Sequence, residues 1–119
     1  MKHNRAVPKA SDQAVPLYDL AHARAGDKGE RLNICLFAYD PADYGLLVEQ
    51  VTAERVQELF GHRGAHSVRR YLLPLLGGMN FVIDGVLEGG VNGSLNLDGH
   101  GKSQSFRLLS LPVSRPGSP

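Results

Sequence analysis

Residues 15–20 and 32–39 are two short apolar segments, and the ten residues between them are small, polar or charged. That order limits what the chain can form. Both apolar segments suit strands of four to eight residues, so residues 21–30 are expected to connect them as a hairpin. The connection reads Ala21-His22-Ala23-Arg24-Ala25-Gly26-Asp27-Lys28-Gly29-Glu30. Its two glycines permit positive φ or close approach of a ligand to the backbone. Arg24 and Lys28 suit an anion, and Asp27 can orient one of them or act as a base. The competing reading is a solvated connection fixed by its own ion pairs.

A chain of 119 residues fits one domain, and at that size folding buries roughly two-thirds of the unfolded surface. The formal charge of +1 and the 21% charged residues give no basic excess for nucleic acid and no single-sign tail. Tryptophan is absent, which weighs against a stacking platform for single strands. Cys35 is the one cysteine, so no internal disulfide or Cys-based metal cluster can form, and it is expected to pack as a small buried hydrophobe. Residues 1–13 lack the apolar core of a signal peptide, and no apolar run approaches the roughly 20 residues of a membrane helix. The expected setting is soluble, reducing and cytoplasmic, with no membrane and no nucleic acid as partner.

Residues 1–14 and 114–119 are expected to be disordered tails around a single domain, 15–113. Asp40 caps and Pro41 opens a helix carrying Tyr44, Leu46, Leu47, Val48 and Val51. Thr52 caps a second helical stretch in which Val56, Leu59 and Phe60 share one face, and Gly61 ends it. Residues 67–73 read as a strand in which Arg69 and Arg70 point to opposite faces. Residues 75–87 read as a buried helix, with Asn80 as a cap or a buried hydrogen-bonding group. Residues 94–97 read as a short strand, 98–101 as a turn, and 103–113 as the last strand. This order predicts an α+β two-layer sandwich, a mainly antiparallel sheet with two helices on one face and the other face left for solvent or a partner. His62 and His66 are four apart, but Gly61 and Gly64 argue against a continuous helix, so no metal site is expected. No Ser-His-Asp ordering or paired carboxylates appear, and no hydrolase mechanism is assigned.

The segment from Ala21 to Glu30, followed by Asn33-Ile34, resembles the signature of the AtuA-like ferredoxin-fold domain family. The resemblance continues through Thr52-Ala53-Glu54-Arg55-Val56, Phe60-Gly61-His62, Asn80-Phe81-Val82, Gly89-Gly90-Val91, Ser94-Leu95-Asn96-Leu97-Asp98 and Gly101-Lys102, and so spans residues 17–112. Three positions depart from the family's habit: Ala25 stands where Ser is frequent, Glu30 where Asp is usual, and Cys35 where Gly is common. The first removes a hydroxyl donor. The resemblance implies a ferredoxin-like fold and a link to the catabolism of branched or terpenoid acids handled as CoA esters. It also implies a large partner, because in AtuA this domain follows a large N-terminal one.

The expected site is therefore an anion-binding turn made by Arg24, Gly26, Asp27, Lys28 and Gly29, with His22 and Asn33 as neighbours and Lys102 as a second cationic arm. The backbone N–H groups of Gly26 and Gly29 would assist. No cofactor and no metal is expected. The leading expectation is a small accessory subunit of a large AtuA-type chain. The alternatives are a self-sufficient homo-oligomeric enzyme or binding protein for a carboxylate or CoA ester, and a purely structural interaction module; whether the chain is an enzyme is left open.

Overall fold

Leu32, Ile34 and Leu36 alternate along the strand β3 (Arg31–Ala38) and are buried, and Met79, Phe81 and Ile83 do the same along β5 (Gly78–Asp84). Successive side chains of a strand point to opposite faces, so these six make one apolar sheet face. The computed structural model describes residues 13–62, 64–86 and 104–115. Around β3 and β5 lie β2 (Ala21–Lys28) and β4 (Ser67–Leu73), giving a four-stranded antiparallel sheet in the order β2-β3-β5-β4. A two-residue connection at Gly29 and Glu30 joins β2 to β3, and Gly29 supplies the positive φ of 65° that such a turn favours. The connection from β3 to β4 carries α1 (Tyr44–Gln50) and α2 (Ala53–Gly61). A third helix, α3, covers residues 104–109, and β6 (Pro112–Arg115) pairs with β1 (Gln13–Pro16) in a separate two-stranded sheet. The result is an α+β fold of the ferredoxin-like kind.

The core lies between the sheet and the helices. Leu47, Val51, Val56 and Phe60 pack with the buried β3 and β5 side chains, and Leu17, Leu108 and Val113 extend the same cluster. Thr52 Oγ1 accepts from the Arg55 N–H at 3.2 Å and so caps α2, and Asp40 Oδ1 accepts from the Ala42 N–H at 2.9 Å. Polar side chains tie the layers. Arg70, on the helix side of β4, donates to the Val48 and Val51 carbonyls at 2.8 Å each, where α1 ends and exposes unpaired carbonyls. Gln50 acts on β6 as a neighbouring strand would: its Nε2 donates to the Ser114 carbonyl and its Oε1 accepts from the Ser114 N–H, both at 2.7 Å.

Three sequence expectations change. Residues 21–28 are a strand, not a connection, and β3 pairs with them along their whole length; the apolar segment before them contributes β1, which pairs with β6 instead. Ala21, Ala23 and Ala25 are spaced by two and cover the helix side of β2, but alanine is too small to register as an apolar stripe. Residues 78–84 form a central strand rather than a buried helix, because strict alternation of Met79, Phe81 and Ile83 with Asn80, Val82 and Asp84 outweighs the run's overall apolarity. Residues 104–109 are helical, so the last strand is confined to Pro112–Arg115. The described residues thus contain three α-helices, within the expected α+β architecture. The expected strand at 94–97 and the turn at 98–101 lie outside the described residues.

Candidate functional site

The second face of the sheet is lined by the residues that alternate with the core. Register sets them in four transverse rows. His22, Phe37, Gly78 and Leu73 form the first, and Arg24, Cys35, Asn80 and Tyr71 the second. Gly26, Asn33, Val82 and Arg69 form the third, and Lys28, Arg31, Asp84 and Ser67 the fourth. The face is thus aromatic at one end, amide and thiol in the middle, and charged at the other.

At the aromatic end the His22 ring lies 5.5 Å from that of Phe37 and 5.2 Å from that of Tyr39. Phe37 lies across Gly78, where a Cβ would sit 2.5 Å from Phe37 Cδ1 and 2.6 Å from the Leu36 carbonyl oxygen. Beyond this row the Pro74–Leu76 turn exposes Leu75 (99%) and Leu76 (66%). In the middle, Asn80 Nδ2 donates to Asn33 Oδ1 and, at 3.1 Å, to Cys35 Sγ. Asn33 is exposed, and with its carbonyl oxygen engaged it presents its own amide N–H groups outward. Cys35 is half-buried on this face, not packed in the core as expected.

At the charged end, Asp84 accepts from Arg31 Nε at 2.7 Å and from Arg69 at 3.3 Å. The hydrogen bond from Arg31 holds the Asp84 carboxyl below its usual range and raises the Arg31 guanidinium in turn. Among the described residues of this face, four cations, Arg24, Lys28, Arg31 and Arg69, are set against one carboxylate. Arg24 and Lys28 make no hydrogen bond or ion pair among the described residues, whereas Arg31, Arg55, Arg69 and Arg70 are all engaged. They flank Gly26 at two residues on either side, about 7 Å each way along the strand. A Cβ at Gly26 would meet nothing within 4 Å. The outcome is a notch floored by Gly26, flanked by two uncommitted cations and faced by the Asn33 amide. One carboxylate or phosphate seated there can take charge-assisted bonds from both sides.

The expected site residues are thus divided. His22, Arg24, Gly26, Lys28 and Asn33 share the open face. Asp27 points to the opposite face of β2, and Gly29 occupies the turn beyond the strand. Lys102 lies outside the described residues. Backbone polarity also differs from expectation. Tyr39 N–H donates to the Leu20 carbonyl at 2.9 Å, so by antiparallel alternation His22, Arg24, Gly26 and Lys28 bond to β3 while Ala21, Ala23 and Ala25 aim outward. Gly26 therefore offers space rather than an N–H. Reading 21–30 as a turn concealed Arg69, Tyr71 and Asn80, which join the site only once β5 is a central strand. The signal for them was the alternation of residues 78–84. No group of three or more His, Cys, Asp or Glu able to hold a metal occurs among the described residues, and no described helix is long and apolar enough to cross a membrane.

The family model described as the AtuA ferredoxin-like domain matches residues 15–114 of the chain. No curated protein and no solved structure matches it.

Proposed function

Because the chain belongs to the AtuA ferredoxin-like domain family, we propose that it is an accessory module that docks with a large AtuA-type chain and contributes an anion-binding face. Its setting is the catabolism of branched or terpenoid acyl-CoA compounds in the cytoplasm. Arg24, Lys28 and Asn33 receive the anionic group over Gly26.

The observation that carries this reading is the pair of uncommitted cations, Arg24 and Lys28, on either side of an empty Gly26 position. In a hairpin stabilised by its own ion pairs they would be matched, as Arg31 and Arg69 are by Asp84. The surroundings favour a docked module over a self-contained binder. Small-molecule sites are usually concave and bury most of the ligand, while this notch lies on a sheet face whose Arg24, Asn33, Arg69 and Tyr71 are exposed. The exposed Tyr39, Leu75 and Leu76 at the aromatic end add the kind of apolar surface that marks interaction sites.

A thermal-shift titration of the chain with coenzyme A and with butanoate, beside Arg24→Ala and Lys28→Ala, tests the anion site. A ligand at a hundredfold excess over its dissociation constant stabilises the folded state by about 2.7 kcal/mol. The reading expects a shift that each variant diminishes. A shift identical in wild type and both variants would remove these residues from the site.

A further inference from the structure

We propose that β2 accepts an extended acidic segment of the partner protein as a fifth strand of the sheet, with the segment's carboxylates on Arg24 and Lys28. The inference rests on the docking reading above and specifies the partner's chemistry.

β2 is an eight-residue edge strand with no proline, and among the described residues only β3 pairs with it. Ala23 and Ala25 aim their N–H and C=O groups away from β3, and neither meets a hydrogen-bond partner among the described residues. Such an edge is a template for strand addition, in which main-chain bonds give affinity and alternate side chains give specificity.

Charge decides the occupant. A fifth strand places every second residue beside Arg24, Gly26 and Lys28 on the open face. Acidic residues there meet two unmatched cations, and cross-strand opposite charges stabilise the pair. A second copy of β2, paired antiparallel about Gly26, would set Arg24 against Lys28, and like charges directly opposite destabilise. The other face of the added strand lies beside Ala23, Ala25 and Asp27. The half-buried alanines favour apolar or small side chains. The segment therefore alternates acidic with apolar or small residues.

The test uses the full chain and eight-residue synthetic peptides. One alternates Glu with Val and Thr; a second has the same composition with its Glu residues in one block; a third alternates Lys with Val and Thr. Binding is followed by titration, and amide hydrogen exchange is read at Ala23 and Ala25. The alternating Glu peptide should bind and slow exchange at both amides, and the other two should bind at least about tenfold more weakly. Arg24→Glu with Lys28→Glu should weaken the Glu peptide by a similar factor. Ala25→Pro removes an outward N–H while leaving the bonds to β3, and should abolish protection at Ala23, the remaining reporter, with both cations retained. N-methylation of the peptide's inward amides gives the same readout without altering the protein. Equal binding of the alternating and block peptides, without protection at Ala23 and Ala25, would overturn strand addition, as would no binding at all. Co-purification with a large AtuA-type chain that Ala25→Pro leaves unchanged would sink strand addition while the docking reading stands. Loss of that co-purification in wild type, with the peptide still bound, would do the reverse.

Discussion

Gly78 and Asp84 sit at the two ends of one strand and show how single residues set the open face. At Gly78 the Leu36 carbonyl leaves no room for a methyl group, and a backbone atom cannot rotate away as a side chain can. Gly78→Ala should therefore cost roughly 1–3 kcal/mol of stability by overpacking, read as a lower midpoint in urea; an unchanged midpoint would contradict the close approach of the Leu36 carbonyl. At Asp84 the consequence is pH dependence. Its folded pKa is lowered, chiefly by the Arg31 hydrogen bond and further by Arg69. The carboxylate thus contributes stability above its unfolded pKa, and that contribution is lost as pH falls through the folded value. Asp84→Asn should flatten the acid limb of the stability curve and leave the neutral-to-alkaline limb unchanged in shape. A steeper acid limb in the variant would mean that the carboxylate is not held by these arginines.

Among the elements, β6 depends on a side chain as much as on its partner strand. Gln50 bonds both backbone groups of Ser114, and Arg55 donates to the Pro112 carbonyl at 2.8 Å. Gln50→Ala removes both of its bonds to Ser114 and should cost about 1–3 kcal/mol, with hydrogen exchange rising first in β1 and β6. Uniform destabilisation across the main sheet would argue that the two sheets unfold together. The elements also show what the sequence made legible. Thr52 marks the start of α2 and Asp40-Pro41 the 3₁₀ turn Pro41–Asp43 that leads into α1, because capping chemistry is local, and residues 67–73 read as a strand because β4 has its own alternation. β2 was hidden by alanine on one face and charge on the other. β5 was hidden because its open face includes Val82, so an alternating strand resembled an apolar helix. The pairing of β1 with β6 joins residues 13–16 to 112–115, a contact across the whole chain that no local pattern encodes. Arg24, Lys28 and Asn33 are legible from residue type together with the family-like signature they sit in, but which of them share a face depends on strand register.

For the whole molecule, the two ends of the open face differ in what they offer a partner. The aromatic end exposes Leu76 and, almost completely, Leu75, so Leu75→Ser should change stability by no more than about 0.5 kcal/mol while weakening association with a large chain. The cationic end should make that association sensitive to salt, because exposed charges are screened over about 10 Å at 0.1 M ionic strength. The most direct measurement is co-elution of this chain with a large AtuA-type chain at low salt, wild type against the double variant Arg24→Glu, Lys28→Glu, with thermal melts confirming that both are folded. The expected result is a complex that the charge reversal and added salt both dissolve. A complex indifferent to both, or the lack of any complex with the folded wild type, would contradict it.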